Sequence, residues 1–125
     1  MQKAKLYKNL TPSNDDYFPI HVSICENFFP RLKGLMFQQK INRNEGLIFI
    51  NQSENRIDAA IHMFFMKFDI AVFWINQNNI IVDRVIAKKW HPFYIPRYNA
   101  KIILETHKEN FDLFSIGDTL IIENI

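Results

Sequence analysis

The sequence predicts a mainly β fold, a compact antiparallel β-sandwich or barrel-like domain with one or two short helices. Residues 18–25 alternate between apolar and more polar side chains, as in a strand with one buried face. Residues 70–75 are apolar throughout, which indicates a central strand covered on both sides. A run of Asn, Gln, Asn and Asn follows at residues 76–79 and predicts a hairpin loop, because asparagine tolerates positive φ.

The other elements are predicted in chain order from the same patterns. A short helix is expected to begin at its N-cap Asn27, to tolerate Pro30 in its first turn and to end near Gly34. Turn-forming residues fill 11–16, 42–46 and 51–55, and Tyr7 is placed in a short early strand. The remaining strands are expected at 47–50, 57–65, 80–86, 101–106 and 119–123, with one helical turn at 110–114 and a loop at 90–98.

Length and composition fit one domain over residues 1–125, with its core at about residues 18–123. Apolar residues make up 48% of the chain, so a core is possible without a disulfide or a metal. Cys25 is the one cysteine of the sequence, so an internal disulfide cannot form, which is compatible with a reducing compartment.

The charge and hydropathy of the sequence limit the partners and the cellular location that we expect. Fifteen basic and thirteen acidic residues give a net charge of +2, and the basic residues are scattered, which argues against a nucleic-acid partner. No uninterrupted apolar run approaches the ~18 residues of a membrane span. The first ten residues contain no apolar signal-peptide segment, so a cytoplasmic protein is expected, with an exported precursor as the alternative.

No spacing in the sequence indicates a metal or a cofactor. The four histidines are widely separated, Cys25 has no second cysteine, and the three glycines are isolated from one another. We therefore expect no metal and no cofactor. The histidines are His21, His62, His91 and His107, and the glycines are Gly34, Gly46 and Gly117.

Five segments, taken in order, resemble the family of uncharacterised proteins known as domain of unknown function number 192. They are Arg-Leu-Lys-Gly-Leu-Met at 31–36, Gly-Leu-Ile-Phe at 46–49, His-Met-Phe-Phe-Met-Lys-Phe-Asp-Ile at 62–70, Leu-Glu at 104–105 and Gly-Asp at 117–118. The resemblance covers residues 20–122 approximately and implies a compact β-sandwich or barrel. It implies no established activity.

The chain also departs from the family pattern at several positions. Asp69 stands where the family usually has proline, Ala71 replaces a usual aspartate, and Lys67 replaces a common arginine. The glycine usual after the late glutamate is missing, since Thr106 follows Glu105. If the family aspartate were catalytic, Ala71 would make this protein inactive.

The polar residues of these motifs are Arg31, His62, Lys67, Glu105 and Asp118, and they allow two interpretations. In one, Glu105 acts as a general base with a histidine such as His62, which would make the protein a small hydrolase or lyase. In the other, which we favour, Arg31 or Lys67 pairs with Glu105 and closes a partly buried corner of the fold.

The loop at residues 90–98 is the strongest predicted contact surface, and the leading hypothesis is a binding or interaction module built on a β scaffold. The loop carries four aromatic residues, and Pro92 and Pro96 stiffen it, which lowers the entropy lost on binding. The alternative is that the rings fold back as a lid over the sheet. The predicted ligand-binding residues are Trp90, Phe93, Tyr94, Arg97 and Tyr98, with Arg31 and Lys67 from the motifs.

Overall fold

The computed structural model describes residues 2–9, 17–25 and 34–124, and it confirms a mainly β domain. Its strands are β1 (Gln2–Lys8), β2 (Ile20–Cys25), β3 (Glu45–Ile50), β4 (Ile70–Ile75), β5 (Ile81–Ala87), β6 (Ile102–His107) and β7 (Leu120–Asn124), and a 3-10 helix spans Lys108–Leu113. The predicted turn at 11–16 and the predicted helix at 27–34, apart from Gly34, lie outside the described residues.

The strands form one sheet in the order β5-β4-β6-β3-β2-β1-β7. All neighbouring strands of this sheet are antiparallel, as predicted, except β2 and β3, which run parallel. A parallel pair needs a long crossover, and residues 26–44 supply the length.

The sheet curls into a half-barrel whose edge strands meet at one end. Ile80, just before β5, forms an isolated bridge with Thr119, just before β7. The Ile81 N–H donates to the Asp118 carbonyl at 2.9 Å, and the Leu120 N–H donates to the Asn79 carbonyl at 2.8 Å. These bonds close the edges of the sheet at that end.

The inner face of the curl holds the main core. Buried apolar residues from all seven strands converge there, and Phe73 of β4 packs against Phe114 and Phe111 at ring-centroid distances of 5.3 and 6.5 Å. All six residues of β4 are buried and divide between the inner core and a second cluster on the outer face. The prediction of a central strand covered on both sides is therefore confirmed.

Long connections, rather than a second sheet, cover the outer face of β3, β4 and β6. Ala59, Met63 and Met66 from the connection between β3 and β4 are buried against this face. The Trp74 indole N–H donates to the Ala59 carbonyl at 2.7 Å, so the one polar atom of a buried ring is satisfied.

The strand predicted at residues 57–65 is wrong, because this segment consists of turns with one isolated bridge between Ile61 and Tyr94. Its buried residues Ala59 and Met63, and Met66 after them, recur every three or four positions rather than every second one. Such spacing lets an irregular segment seat three side chains on the sheet without pairing as a strand.

Gly46 lies inside β3, which begins earlier than the predicted residue 47. A Cβ at this position would stand 2.9 Å from the backbone carbonyl oxygen of Glu105 in β6. The glycine of the family motif therefore permits the close approach of these two strands.

The hairpin between β4 and β5 gives a prediction about Asn79, which has a φ of 63°. An Asn79→Ala variant should lose about 1 kcal/mol of unfolding free energy, because a Cβ-bearing residue without a polar side chain is disfavoured in the left-handed region. Asn79→Gly is the matched control and should be no less stable than Asn79→Ala. Urea midpoints measure both, and an alanine variant as stable as the wild type would contradict the prediction.

Candidate ligand pocket and aromatic surface

Glu105 is a buried acid on the outer face of the sheet. It lies in β6 between Leu47 of β3 and Val72 of β4, which are its direct cross-strand neighbours. Ile103, two residues earlier in the strand, shares its face. The period of the strand therefore places a carboxyl among apolar side chains, and Glu105 is only 7% exposed.

The carboxyl of Glu105 has no cation and no hydrogen-bond donor beside it among the described residues. Burial penalises the ionised form and raises the pKa of this carboxyl from 4.5 to about 7. Glu105 thus changes its charge close to neutral pH, which is the range suited to general acid–base chemistry and to pH-dependent binding.

A cavity of about 100 Å³ opens beside this carboxyl. It lies between the β3–β6 face of the sheet and the two connections that cover it. Apart from Glu105, its polar side chains are Asp58, which is exposed, and His62, which is half-buried. Its other lining residues are Gly34, Leu35, Met36, Phe49, Ala60, Ile61, Met66 and Ile103.

The imidazole of His62 is oriented by a hydrogen bond from the backbone two residues later in the chain. Its Nδ1 accepts a hydrogen bond from the Phe64 N–H at 3.2 Å. A neutral imidazole that accepts at Nδ1 carries its proton on Nε2, so the other nitrogen is a donor. The predicted grouping of His62 with Glu105 is found in this cavity.

Three exposed aromatic residues contact one another close to the cavity, and we call them the aromatic trio. Phe37, Phe65 and Trp90 are 57%, 46% and 55% exposed. The rings of Phe37 and Phe65 stack at 5.2 Å, and Phe65 meets Trp90 edge-on at 5.1 Å. The trio comes from three separate connections, so only the folded chain assembles it.

All three residues of the trio have left-handed backbones, with φ angles of 66°, 62° and 68°. Bulky side chains rarely adopt this conformation, which costs about 1–2 kcal/mol per residue. Backbone bonds hold it in place: the Phe37 N–H donates to the Phe65 carbonyl at 3.1 Å, and the Trp90 N–H donates to the Met63 carbonyl at 2.8 Å. The fold therefore maintains strain while leaving the rings in solvent.

A second aromatic pair lies beside the cavity residue His62. Phe64 meets Phe93 edge-on at 6.4 Å, and the ring of His62 lies 5.4 Å from that of Phe64. Met36, which lines the cavity, immediately precedes Phe37. Two cavity residues, His62 and Met36, therefore lie next to exposed aromatic residues in space or in the chain.

The predicted loop residues occupy different environments. Trp90, Phe93 and Tyr98 are exposed, so these rings do not form the alternative lid. Tyr94 is half-buried: its hydroxyl accepts from the Lys88 N–H at 2.9 Å, and its backbone forms the bridge with Ile61. The guanidinium of Arg97 pairs with Asp83 at 3.1 Å.

The polar motif residues are only partly brought together. Lys67 is exposed and does not line the cavity, and Asp118 forms an ion pair with Lys8 at 3.5 Å elsewhere in the fold. Arg31 lies outside the described residues, so its pairing with Glu105 stays a prediction.

The structure shows what surrounds two of the residues that depart from the family pattern. Ala71 lies in the inner core, on the face of β4 opposite the cavity, so this replacement does not alter the cavity lining. Asp69 accepts a hydrogen bond from the Lys89 N–H at 2.8 Å, which together with nearby Lys88 holds the pKa of the Asp69 carboxyl below its usual value. Asp69 thereby anchors the turn that presents Trp90.

Sequence reasoning missed Phe37, Phe65 and Phe64 as surface residues, and Asp58 as a residue of the cavity. Consecutive phenylalanines at 64 and 65 resemble a core strand, and no sequence pattern reports a left-handed backbone at a phenylalanine. The contact of Phe37 with Phe65 could be found only in three dimensions.

The fold and the site define a half-barrel β protein with a small acidic pocket on its outer face and exposed aromatic residues beside it. The chain belongs to the family described as Uncharacterized ACR, domain of unknown function number 192, whose model matches residues 10–122. This confirms the resemblance seen in the sequence, and neither the family nor the relatives named below carry an established function.

Archaeal proteins are similar in sequence. A UPF0127 protein of Thermococcus sibiricus is 40% identical over 101 residues, which is 79% of this chain and 64% of that protein. A UPF0127 protein of Thermococcus gammatolerans is 39% identical over 85 residues, which is 68% of this chain and 54% of the relative. The chain therefore spans less than two thirds of the length of these two proteins.

Two crystal structures share the fold. A Novosphingobium aromaticivorans protein of unknown function aligns with a TM-score of 0.78 and 14% identity, covering 95% of this chain and 83% of its own. A Sinorhizobium meliloti protein described as a "putative transcription regulator" aligns with a TM-score of 0.81 and 17% identity, covering 97% and 92%. At these identities the likeness concerns the fold alone.

Within residues 2–9, 17–25 and 34–124, no helix has the length and apolar character needed to cross a membrane. The same residues contain no group of three or more His, Cys, Asp or Glu side chains arranged to hold a metal ion.

Proposed function

We propose that the protein is a binding module that captures a segment of a protein partner on the aromatic trio and the neighbouring Phe64–Phe93 pair. The main support is that Phe37, Phe65 and Trp90 have left-handed backbones and yet remain about half exposed. Backbone strain of this kind persists where the surrounding structure enforces it, and it clusters at functional sites.

The chemistry of this surface favours a protein partner. Phe and Trp are enriched in the cores of protein interfaces, where their rings supply a large contact area with only two side-chain torsions to fix. Backbone bonds between the connections hold the main chain of the trio in place before binding, so little backbone freedom is lost on association. This proposal keeps Trp90 and Phe93 from the predicted loop and adds Phe37, Phe64 and Phe65. It does not include Arg97 or Tyr98.

Selection of peptides from a random display library tests the proposal. Peptides recovered on the wild type should bind Trp90→Asn and Phe65→Asn variants at least about tenfold more weakly, because each variant loses an interface anchor. Asparagine tolerates a left-handed backbone, so both variants should stay within about 1 kcal/mol of wild-type stability. Ile116→Asn removes a different residue that is 50% exposed and should leave peptide binding unchanged.

Three outcomes would contradict a protein partner. The selected peptides could bind all four proteins equally, which would place the contact elsewhere. The wild type could instead bind anionic vesicles or single-stranded oligonucleotides through Trp90. Sedimentation could show a dimer that the same variants dissociate, in which case the surface joins two copies of the chain.

The cavity supports a second candidate, the small hydrolase or lyase. Glu105 and His62 line one cavity, and the raised pKa of Glu105, about 7, suits a general acid or base. A substrate screen would support this candidate if turnover falls to background in both Glu105→Gln and His62→Gln, while the Trp90→Asn variant stays active.

A further inference from the structure

We propose that the cavity beside Glu105 binds the terminal ammonium of an alkylamine. This inference deepens the proposed function by naming the group that a partner would insert, and it rests on a part of the molecule separate from the aromatic trio.

The size of the cavity limits its occupant to one chemical group. Small-molecule sites usually measure about 300–1,000 Å³. The cavity of about 100 Å³ is far below that range, so it admits the end of a side chain or a small free molecule. A cofactor or a nucleotide would not enter it.

The charge of the lining selects a cation. Glu105 and Asp58 are acidic, and the lining residues within 2–9, 17–25 and 34–124 include no lysine or arginine. Glu105 is more than nine-tenths buried, it lines the cavity, and no described residue donates a hydrogen bond to its carboxyl, so a ligand in the cavity could supply that donor. An ammonium group supplies three donors and the opposite charge.

The apolar residues of the cavity wall favour an apolar chain attached to the ammonium group. Side chains from the sheet, such as Phe49 and Ile103, and methionines from the connections, Met36 and Met66, surround the approach to Glu105. Methionine adapts to irregular apolar shapes, and aromatic faces attract cations. A polymethylene chain that ends in an ammonium group therefore matches both the walls and the acid, and this is the shape of a lysine side chain.

The titratable groups that share the cavity with Glu105 are Asp58 and His62, while its strand neighbours Leu47 and Val72 are apolar. An ammonium ion binds the ionised carboxylate, so its affinity should rise with pH through about 7, where Glu105 loses its proton. A neutral ligand that accepts a hydrogen bond from the protonated acid would show the reverse dependence.

The test uses n-butylammonium as the probe and butan-1-ol as its neutral isostere, followed by NMR of methyl-labelled methionines. Met36 and Met66 should shift in a saturable way with n-butylammonium. Binding should weaken about tenfold or more in Glu105→Gln, because a charge-assisted hydrogen bond is lost. The Ile116→Asn variant, at an exposed residue outside the cavity and the aromatic trio, should bind the probe as the wild type does. The probe contains no peptide, so this test is separate from that of the proposed function.

A second arm distinguishes a lysine side chain from a free amine. If a partner supplies the ammonium, a selected peptide should bind about tenfold more weakly when its lysine is replaced by norleucine. If a free amine is the ligand, n-butylammonium binding alone will show the pH profile and the Glu105→Gln loss, with no effect of norleucine. Both results support an alkylammonium site.

Two results would overturn the proposal. Equal affinity for n-butylammonium and butan-1-ol would show that the charge of the ligand is not recognised. A Glu105 carboxyl signal that titrates at or below pH 4.5 in the free protein would show that a cation already occupies the site.

Discussion

Replacing Phe73 with alanine should lower the free energy of unfolding by about 3–5 kcal/mol. The ring is completely buried in the inner core, where it packs against Phe114 at 5.3 Å and Phe111 at 6.5 Å. Removing it forfeits the transfer free energy of the ring and leaves a cavity that β4, hydrogen-bonded on both sides to β5 and β6, has little freedom to collapse. Urea unfolding monitored by circular dichroism measures the loss.

Phe93→Ala is the matched control for this substitution, because it removes the same ring from a position that is 64% exposed. Its unfolding free energy should stay within about 0.5 kcal/mol of the wild type. A Phe73→Ala variant with an unchanged urea midpoint would show that β4 is not the centre of the core.

The second large effect concerns the dependence of stability on pH. Because burial raises the pKa of Glu105 from 4.5 to about 7, the folded protein holds this proton more tightly than the unfolded chain does. The stability contribution of the protonated group is fully present below pH 4.5 and is lost as the pH rises through about 7. The loss amounts to roughly 3 kcal/mol, at about 1.36 kcal/mol for each tenfold change in proton affinity.

A Glu105→Gln variant should therefore be more stable than the wild type at pH 8 and should lose this advantage near pH 4. Glutamine keeps the shape of the side chain but cannot ionise, so its burial at high pH carries no charge. Glu109→Gln neutralises an exposed carboxylate on the 3-10 helix and should retain the pH dependence of the wild type. Unfolding free energies at several pH values measure the difference.

The opposite result would be equally informative. If Glu105→Gln is less stable than the wild type at pH 8, a cation holds the carboxylate, and the predicted partner Arg31 is the first candidate. Removing one member of a buried ion pair is strongly destabilising, so in that case Glu105→Gln would lower the stability at pH 8.

The pattern of the strands could be predicted because it is local. The alternation at residues 20–25 and the fully apolar Ile70–Ile75 place side chains on faces without knowledge of neighbouring strands. The hairpin loop was predictable for a similar reason, since Asn79 has a left-handed φ that its residue type tolerates. The connection at residues 57–65 was mistaken for a strand because short apolar runs do not report whether a pairing partner exists.

The sequence by itself determined the family, the mainly β class and the central strand, and it named Glu105 and Trp90 as candidate site residues. Only the tertiary structure decided that Glu105 stands between Leu47 and Val72 beside a cavity. It also decided that Phe37, Phe65 and Trp90 meet in solvent with left-handed backbones. The physical reason is that desolvation and ring contacts depend on residues far apart in the chain, whereas periodicity depends only on neighbours.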